Sequence, residues 1–581
     1  MTVVPPGSDP RFLDVQAEIL ARAPEHTPQP SLERVRQVLE ILGEPQRSCP
    51  VIHVTGTNGK TSTARMIDRL LREHGLRTGR FTSPHLASIG ERITVDGVRL
   101  DQQRFVAAWD DIAPYVQLVD ERSAAEGGPQ LSFFEVLTCM AFAVFADAPV
   151  DVAVVEVGLG GTWDSTNVAD AAVAVVTPVA LDHERWLGHG LVAIAEQKSG
   201  IIKEGSLLVT AQQPPEVADV LMRRAVETGA VVAREGLEFG VLSRDVAVGG
   251  QRLTLKGLVG GAEDVYLPLH GAHQARNAAV AAAAVEAFLG SGGHAGTGLD
   301  PYLVRDAFAH VDSPGRLEPV RRGPLVVVDA AHNPAGAAAA ADGLREAFPG
   351  TRLVGVVGVM ADKDAEGILE QLEPVLTEVV VTAPRSERAF PLEELAETAR
   401  GVFGDERVHV RADLADAVDT ALAAAEVGAG GDEVAAGVLV TGSVHLVAEA
   451  RRLLGAPDPD ALAVDTTSRG VSAVAEDTGR RVMGLDADRL DADRVDGADD
   501  GIDDELDELA RLGVRDDLHD ERDDVGLVDD PYAPPEDSAL LDDPWVVREE
   551  HDDYWDDDED PTDDQTAGPA DGEAPGRPPR A

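Results

Sequence analysis

His53-Val54-Thr55-Gly56-Thr57-Asn58-Gly59-Lys60-Thr61-Ser62 is the stretch that decides the fold of this chain. Pro50 to Val54 is short, apolar and β-branched, the composition of a buried strand. From Thr61 the apolar residues Ala64, Met66, Ile67, Leu70 and Leu71 recur at helical spacing. Between strand and helix, Gly56 and Gly59 allow a tight turn and a close approach to a ligand. Amides at the start of that helix face an anion, and Lys60 adds a full positive charge. The natural guest is a nucleoside triphosphate, with Thr61 placed beside the lysine to ligate Mg2+. The match to the usual phosphate loop is incomplete, because Val54 stands where the first glycine of the six-residue spacing belongs. A glycine-rich loop that merely precedes a helix is the plainer alternative. The order Gly59-Lys60-Thr61 weighs against it.

Outward from this loop, strand and helix patterns alternate. Residues 11 to 48 read as helix in two pieces, with Ser31 as an N-cap for the second. Val150 to Val157 and Ala171 to Thr177 read as buried strands. Such alternation predicts a mostly parallel sheet covered by helices. Residues 231 to 270 differ: short strands and the pairs Gly249-Gly250 and Gly260-Gly261 predict a small antiparallel sheet. After Pro314-Gly315 a second series begins, with strands at Pro324 to Asp329, Arg352 to Val357, Glu378 to Thr382 and Gly437 to Thr441. A helix from Ala335 to Ala347 lies among them. The expected organisation is α/β: an ATP-binding domain over 1–310, a second Rossmann-like domain over 311–456, and a tail over 457–581.

Of the 581 residues, the last 125 hold 42 acidic and 11 basic side chains, −31 of the total charge of −54. Charge of one sign at that density cannot collapse into an apolar core, so the tail is expected to be disordered. Glu505 to Leu509 and Pro544 to Val547 are two islands that local order would suit and that could bind an unknown partner; a solvating tail is the simpler reading. The overall acidity argues against nucleic-acid binding. It also requires the site to gather its own cations around an anionic guest. Cys49 and Cys139 offer no disulfide framework and suit a reducing cytosol. No signal-like start and no bilayer-length apolar run is present, so a cytoplasmic protein away from membranes is expected.

Several polar segments fall at predicted strand ends, where open α/β sheets bind ligands. Phe81-Thr82-Ser83-Pro84-His85-Leu86 follows the first helix, and Glu91-Arg92-Ile93 comes soon after. Val154-Val155-Glu156-Val157-Gly158-Leu159-Gly160-Gly161 sets a carboxylate beside a glycine turn, and Leu181-Asp182-His183 ends the next strand. Taken singly, Glu156 and His183 are more often satisfied structural residues than metal ligands. A phosphate loop in the same domain shifts that balance, because Mg2+ with ATP needs ligands near the γ-phosphate.

These segments, followed by HGAHQARNA (270–278), DAAHNPAG (329–336) and GVMADKD (358–364), stand in the order used by folylpolyglutamate synthase/dihydrofolate synthase. The chain thus resembles this family of the Mur ligase superfamily over roughly residues 10 to 455. The resemblance implies an ATP-dependent ligase with its active site between two domains. It implies that Gly56, Thr57, Asn58, Gly59, Lys60, Thr61 and Ser62 cradle ATP phosphates. Thr61, Ser83, Glu156 and His183 would hold Mg2+, and Lys198 would be carbamylated to hold a second metal; K+ is a further cation the reading admits. His273, Gln274 and Asn277 would line the nucleotide. Arg316 would reach the phosphates from the second domain, and Asp329 and His332 would stand near nucleotide and incoming glutamate.

Other uses stay open for these residues. Lys198 could be a surface lysine, His273 a helix cap, and His85 either a substrate contact or a shaper of its loop. Phe134 reads more as core than as site. Thr162, Trp163 and Gln197 depart from the family, which commonly has arginine, a smaller apolar residue and glutamate there. Loss of the arginine removes a cation near an anionic site.

The implied reaction adds L-glutamate to dihydropteroate, or to the γ-carboxyl of tetrahydrofolate or its polyglutamates, through an acyl phosphate. Lys60, Lys198, Arg316 and His332 are the catalytic candidates, and a monomer is expected. A cell-wall amide ligase of the same superfamily is the nearest rival, and the SPHL loop argues against it. A catalytically dead adaptor would need a broken phosphate loop, and this one is intact.

Overall fold

The structure, a computed structural model, describes residues 9–24, 30–291, 298–428 and 435–457. The acidic tail beyond 457, with both of its islands, lies outside the described residues.

The first eight strands are β1 Val51–Thr55, β2 Thr78–Phe81, β3 Ile93–Val95, β4 Val98–Arg99, β5 Val152–Glu156, β6 Val173–Val176, β7 Leu207–Thr210 and β8 Val231–Arg234. They form one sheet in the order β4-β3-β2-β5-β1-β6-β7-β8. The strands from β2 to β8 in that order run parallel, and β3 and β4 add an antiparallel edge. The central strands are buried throughout and mostly apolar because helices cover both faces. Successive residues still divide between those faces. Ile52 and Val54 join the core under helices Lys60–Glu73 and Ala272–Ser291. Val51 joins the opposite core, under helices Pro10–Leu20, Glu33–Ile41, Gln102–Ala125 and Phe133–Asp147. The alanines of Ala272–Ser291 are largely buried, and this small-residue face lets the helix pack on Lys60–Glu73.

A three-stranded antiparallel sheet follows, β9 Gly240–Ala247, β10 Gly250–Lys256 and β11 Gly261–Leu267. The reading of 231–270 as one antiparallel unit is corrected at its start. Val231–Arg234 pairs in parallel with β7 and closes the large sheet instead. Ser31 is also not the N-cap. Leu32 takes that position, although Ser31 Oγ accepts from Glu33 N at 3.1 Å.

The remaining strands are β12 Glu318–Arg322, β13 Leu325–Asp329, β14 Arg352–Val357, β15 Leu376–Val381, β16 Val408–Val410 and β17 Ala436–Thr441. Their order is β12-β13-β17-β14-β15-β16, parallel except for β12. The antiparallel edge strand β12 carries Pro319 and two arginines, a composition that gives no strand signal in the sequence. Helices lie on both faces of this sheet too. Leu86 of the SPHL loop packs against its core, so the two sheet systems touch beside the site.

Candidate active site

The carboxyl ends of β1, β2, β5 and β6 and of β13 and β14 face one cleft of about 1000 Å³. Every strand end contributes a polar turn, as open α/β sheets require.

The turn after β1 needs its glycines. Gly56 has φ +143° and Gly59 φ +87°. A Cβ at Gly56 would collide with Thr177 and one at Gly59 with Asn277. Thr57 N and Asn58 N both donate to Pro178 O, at 2.9 and 3.3 Å, so the segment after β6 braces the loop. These two amides are therefore spent on the protein. Thr63 N closes the first helical bond onto Gly59 O, and the amides just before it are those the helix leaves for an anion. Lys60 Nζ donates to Gly56 O at 3.2 Å and Thr57 O at 3.1 Å. Enclosure by protein lowers its pKa, against the opposing pull of Glu156 and Asp182.

Glu156 ends β5, almost wholly buried. Burial raises its pKa, while Lys60 and the hydrogen bonds from Thr61 and Ser83 pull it back. Thr61 Oγ1 donates to Oε1 at 2.9 Å and Ser83 N to Oε2 at 3.2 Å. One carboxylate with two hydroxyls suits Mg2+, which keeps waters and phosphate oxygens around a sparse protein set. Among the described residues no cluster of three His, Cys, Asp or Glu side chains has metal-binding geometry. The structure brings Thr61, Ser83 and Glu156 together as expected. It places His183 against Lys363, whose Nζ lies 3.1 Å from His183 Nε2. Burial and the Lys363 charge, outweighing Asp182, lower the His183 pKa to about 3, so its imidazole is neutral and can accept.

Lys198 lies on helix Gly190–Ser199 and is buried, not on the surface. Its Nζ donates to Gly56 O at 2.7 Å. Burial first and the Lys60 charge second lower its pKa to about 7. A neutral amine is the form that reacts with CO2, so the residue fits a carbamate.

His273 lines the cleft at the start of helix Ala272–Ser291, its pKa lowered by burial to about 4. Gln274 Nε2 reaches Ser62 Oγ at 3.5 Å, and Asn277 Nδ2 donates to Gln274 Oε1 at 3.1 Å. Ser62 Oγ lies 2.8 Å from Ser313 Oγ, which carries this polar chain to the segment leading to Arg316. Arg316 and His332 line the cleft from the other side. Asp329, at the end of β13, accepts from Leu317 N at 2.9 Å and Ala331 N at 2.8 Å; burial raises its pKa against the Arg316 charge. His85 both lines the cleft and shapes its loop, with Nδ1 accepting from Arg92 Nε at 2.9 Å. Phe134 stacks on Phe81, centroids 5.5 Å apart, and also lines the cleft, so it serves core and wall together. Thr162 is held by Gln197 O at 3.1 Å, a short polar contact on the helix that carries Lys198.

Sequence reasoning missed Asp182, Asn333 and Lys363. Lys363 donates to Asp182 Oδ1 at 2.5 Å, and Asn333 Nδ2 to Asp182 Oδ2 at 3.0 Å. All three motifs were visible, LDH, DAAHN and ADKD, but nothing local pairs residues 151 and 181 positions apart.

Residues 54–285 match the Mur ligase middle domain, and residues 315–444 the Mur ligase glutamate ligase domain. Dihydrofolate synthase/folylpolyglutamate synthase of Mycobacterium tuberculosis is 50% identical over 469 residues, spanning 78% of this chain and 96% of its own. The chain belongs to the folylpolyglutamate synthase/dihydrofolate synthase family of Mur ligases. Within that family, the structure of M. tuberculosis folylpolyglutamate synthase complexed with ADP aligns with a TM-score of 0.74 at 49% identity, covering 77% of this chain and 99% of that one. A folylpolyglutamate synthase–AMPPCP–folate complex aligns at 0.65 and 30% identity, covering 76% and 99%.

Proposed function

We propose that this cleft joins L-glutamate to dihydropteroate and to the γ-carboxyl of tetrahydrofolates, using ATP. The reaction class, ATP-dependent ligation of an acid to an amino acid, follows from family membership, which also sets aside the cell-wall rival. The observation that carries the site reading is convergence: Lys60 and Arg316, from the two halves of the chain, line one cleft with His332.

The substrate carboxylate attacks the γ-phosphoryl group, giving an acyl phosphate and ADP. Lys60, the amides before Thr63 and Arg316 neutralise charge on the transferring oxygens; such catalysis is mostly positioning and electrostatics. His273, Gln274 and Asn277 line the nucleotide, and Asp329 sets the backbone around Arg316 and His332. Thr61, Ser83, Glu156 and His183 would hold Mg2+, and Lys198 as a carbamate a second metal, supplying further charge neutralisation at the phosphates. The amine of glutamate then attacks the acyl carbon and phosphate leaves. His332 orients or deprotonates that amine, a role supported by its place in the lining of the same cleft as Lys60 and Arg316. Closure of the two sides keeps water from the acyl phosphate.

We divide the chain into 1–310, 311–456 and a tail over 457–581, the first boundary supported by eight- and six-stranded sheets that share no strand, and place it in the cytoplasm. Among the described residues no helix is long and apolar enough to cross a membrane. The deciding experiment measures ADP release with Mg2+, ATP and L-glutamate, offering dihydropteroate or tetrahydrofolate. Turnover with both makes the enzyme bifunctional; turnover with neither overturns the reading. Full glutamate-dependent turnover in His332→Ala would remove the role given to that histidine.

A further inference from the structure

Where the two α/β parts meet, one carboxylate gathers groups that the reaction scheme leaves unexplained. Asp182 follows β6 in the ATP-binding part, and its side chain is 7% exposed. It accepts from Lys363 Nζ at 2.5 Å and from Asn333 Nδ2 at 3.0 Å, and His332 Nε2 lies 3.5 Å from its Oδ2. All three partners belong to the second part. The His332 ring is oriented at its other nitrogen as well, Nδ1 lying 2.9 Å from Ala330 O.

Asn333 extends the link to the phosphate loop. The Asn333 and Asn58 amides exchange hydrogen bonds at 3.1 and 3.2 Å. Asn333 Oδ1 also accepts from Gly336 N at 2.8 Å and so caps helix Pro334–Ala347. On the near side, Asp182 Oδ1 accepts from His183 N at 2.8 Å and steadies His183 at φ +55°. That left-handed conformation costs about 1 kcal/mol for a residue with a Cβ. A carboxylate present only to balance one lysine needs one partner. This one ties two turns of the second part, at 332–333 and at 363, to the strand end that braces the phosphate loop. Buried ion pairs add little net stability, and fixing one register is the better-attested use of such groups.

We propose that Asp182 is a positioning residue for the amide-forming step: from the ATP-binding part it holds His332, Asn333 and Lys363 in register with the phosphate loop. The proposal rests on the ligase reading above. Placement errors near 1 Å cost such steps about 100-fold. The loop keeps braces that Asp182 does not make, Thr57 N and Asn58 N on Pro178 O, so ATP affinity survives the loss of Asp182. The amine-receiving side does not. Acyl phosphate formed in a mis-set cleft is then attacked by water at the acyl carbon, which returns the carboxylic acid and releases phosphate without amide.

The test uses the full chain, wild type against Asp182→Ala and Asp182→Asn. It measures ATP binding by calorimetry, kcat for amide formation, phosphate released per amide formed, and hydrogen exchange without nucleotide. We expect Asp182→Ala to keep its ATP Kd within about threefold while kcat falls about 100-fold. Phosphate release should exceed amide formation, and exchange should quicken at both 56–61 and 331–336. The isosteric Asp182→Asn shows the same pattern more weakly, and carries the test if the alanine variant does not fold. Unchanged kcat, a loss explained by weaker ATP binding, equal phosphate and amide, or faster exchange confined to 180–184 would each overturn the proposal. Absence of wild-type turnover overturns the ligase reading instead, and the exchange pattern then decides the part of Asp182 by itself.

Discussion

Residues 56–62 make the phosphate loop from one unbroken segment, whereas the corner opposite gathers Asp182, Asn333 and Lys363 from stretches up to 181 positions apart. Both are polar: the loop and Lys363 line the cleft, and Asp182 lines a small cavity beside it with Gly56 and Lys60. The loop is held within the first half of the chain: by two glycines at positive φ, by a helix start whose amides need an external partner, and by Pro178 O. The corner is held by long-range pairing, so its geometry exists only while the two halves of the chain are in contact. The first region binds an anion whatever the second does; the second matters when two bound groups must meet.

Variants in the two regions should therefore fail differently. The largest effect is expected for Lys60→Ala, which removes a cation at the transferring phosphoryl group: turnover should fall about 1000-fold, read as steady-state ADP formation. If ATP affinity stayed intact and phosphate outran amide, the loop would be behaving like the corner and the contrast would break.

Lys198→Met comes next, with turnover falling about 100-fold. The same variant has a second signature in pH. The folded-state pKa of Lys198 is lowered from 10.5 to about 7. Between those values the unfolded chain carries a proton that the folded chain lacks, so this lysine makes stability rise with pH across the window. At the acid end its buried charge costs the fold most. Urea midpoints in CO2-free buffer should show Lys198→Met more stable than wild type near pH 7, with the gap closing toward pH 10.5. A constant gap would mean that the amine is solvated in the folded state.

Asn333→Ala sharpens the comparison from the other side. It loses a helix cap worth about 1 kcal/mol and the bridge to Asn58, and a loss of turnover of about 10-fold should accompany the fall in urea midpoint. A stability loss with unchanged turnover would reduce Asn333 to a cap. The smallest effect belongs to Arg244→Ala. Arg244 and Glu346 also join the two halves, at 2.7 Å, but their side chains are 22% and 33% exposed and the pair stands outside the cleft. About 0.5 kcal/mol and no measurable change in turnover are expected. A large loss of turnover there would show that any tie between the halves serves, and Asp182 would lose its special place.

Much of this molecule was legible in the sequence because much of it is local. Strands such as Arg352–Val357 are continuous apolar runs between helices, and they fall where the pattern puts them. The segment at 231–234 was not, because a short edge strand carries the same residues whether it joins a parallel or an antiparallel neighbour. Thr61, Ser83 and Glu156 meet as their strand ends require. His183, grouped with them on sequence, has its Nε2 3.1 Å from Lys363 Nζ, a neighbour that no local pattern announces.

By itself, then, the sequence determined the phosphate loop, the two α/β series and the family, because periodicity, glycine placement and ordered motifs are properties of neighbouring residues. Tertiary structure alone decided that Lys198 is enclosed beside Gly56, and that Asp182 collects its partners from the second half of the chain. Burial and pairing of charges depend on which distant segments pack together. Only once packing has excluded water do those charges set a pKa or fix a register.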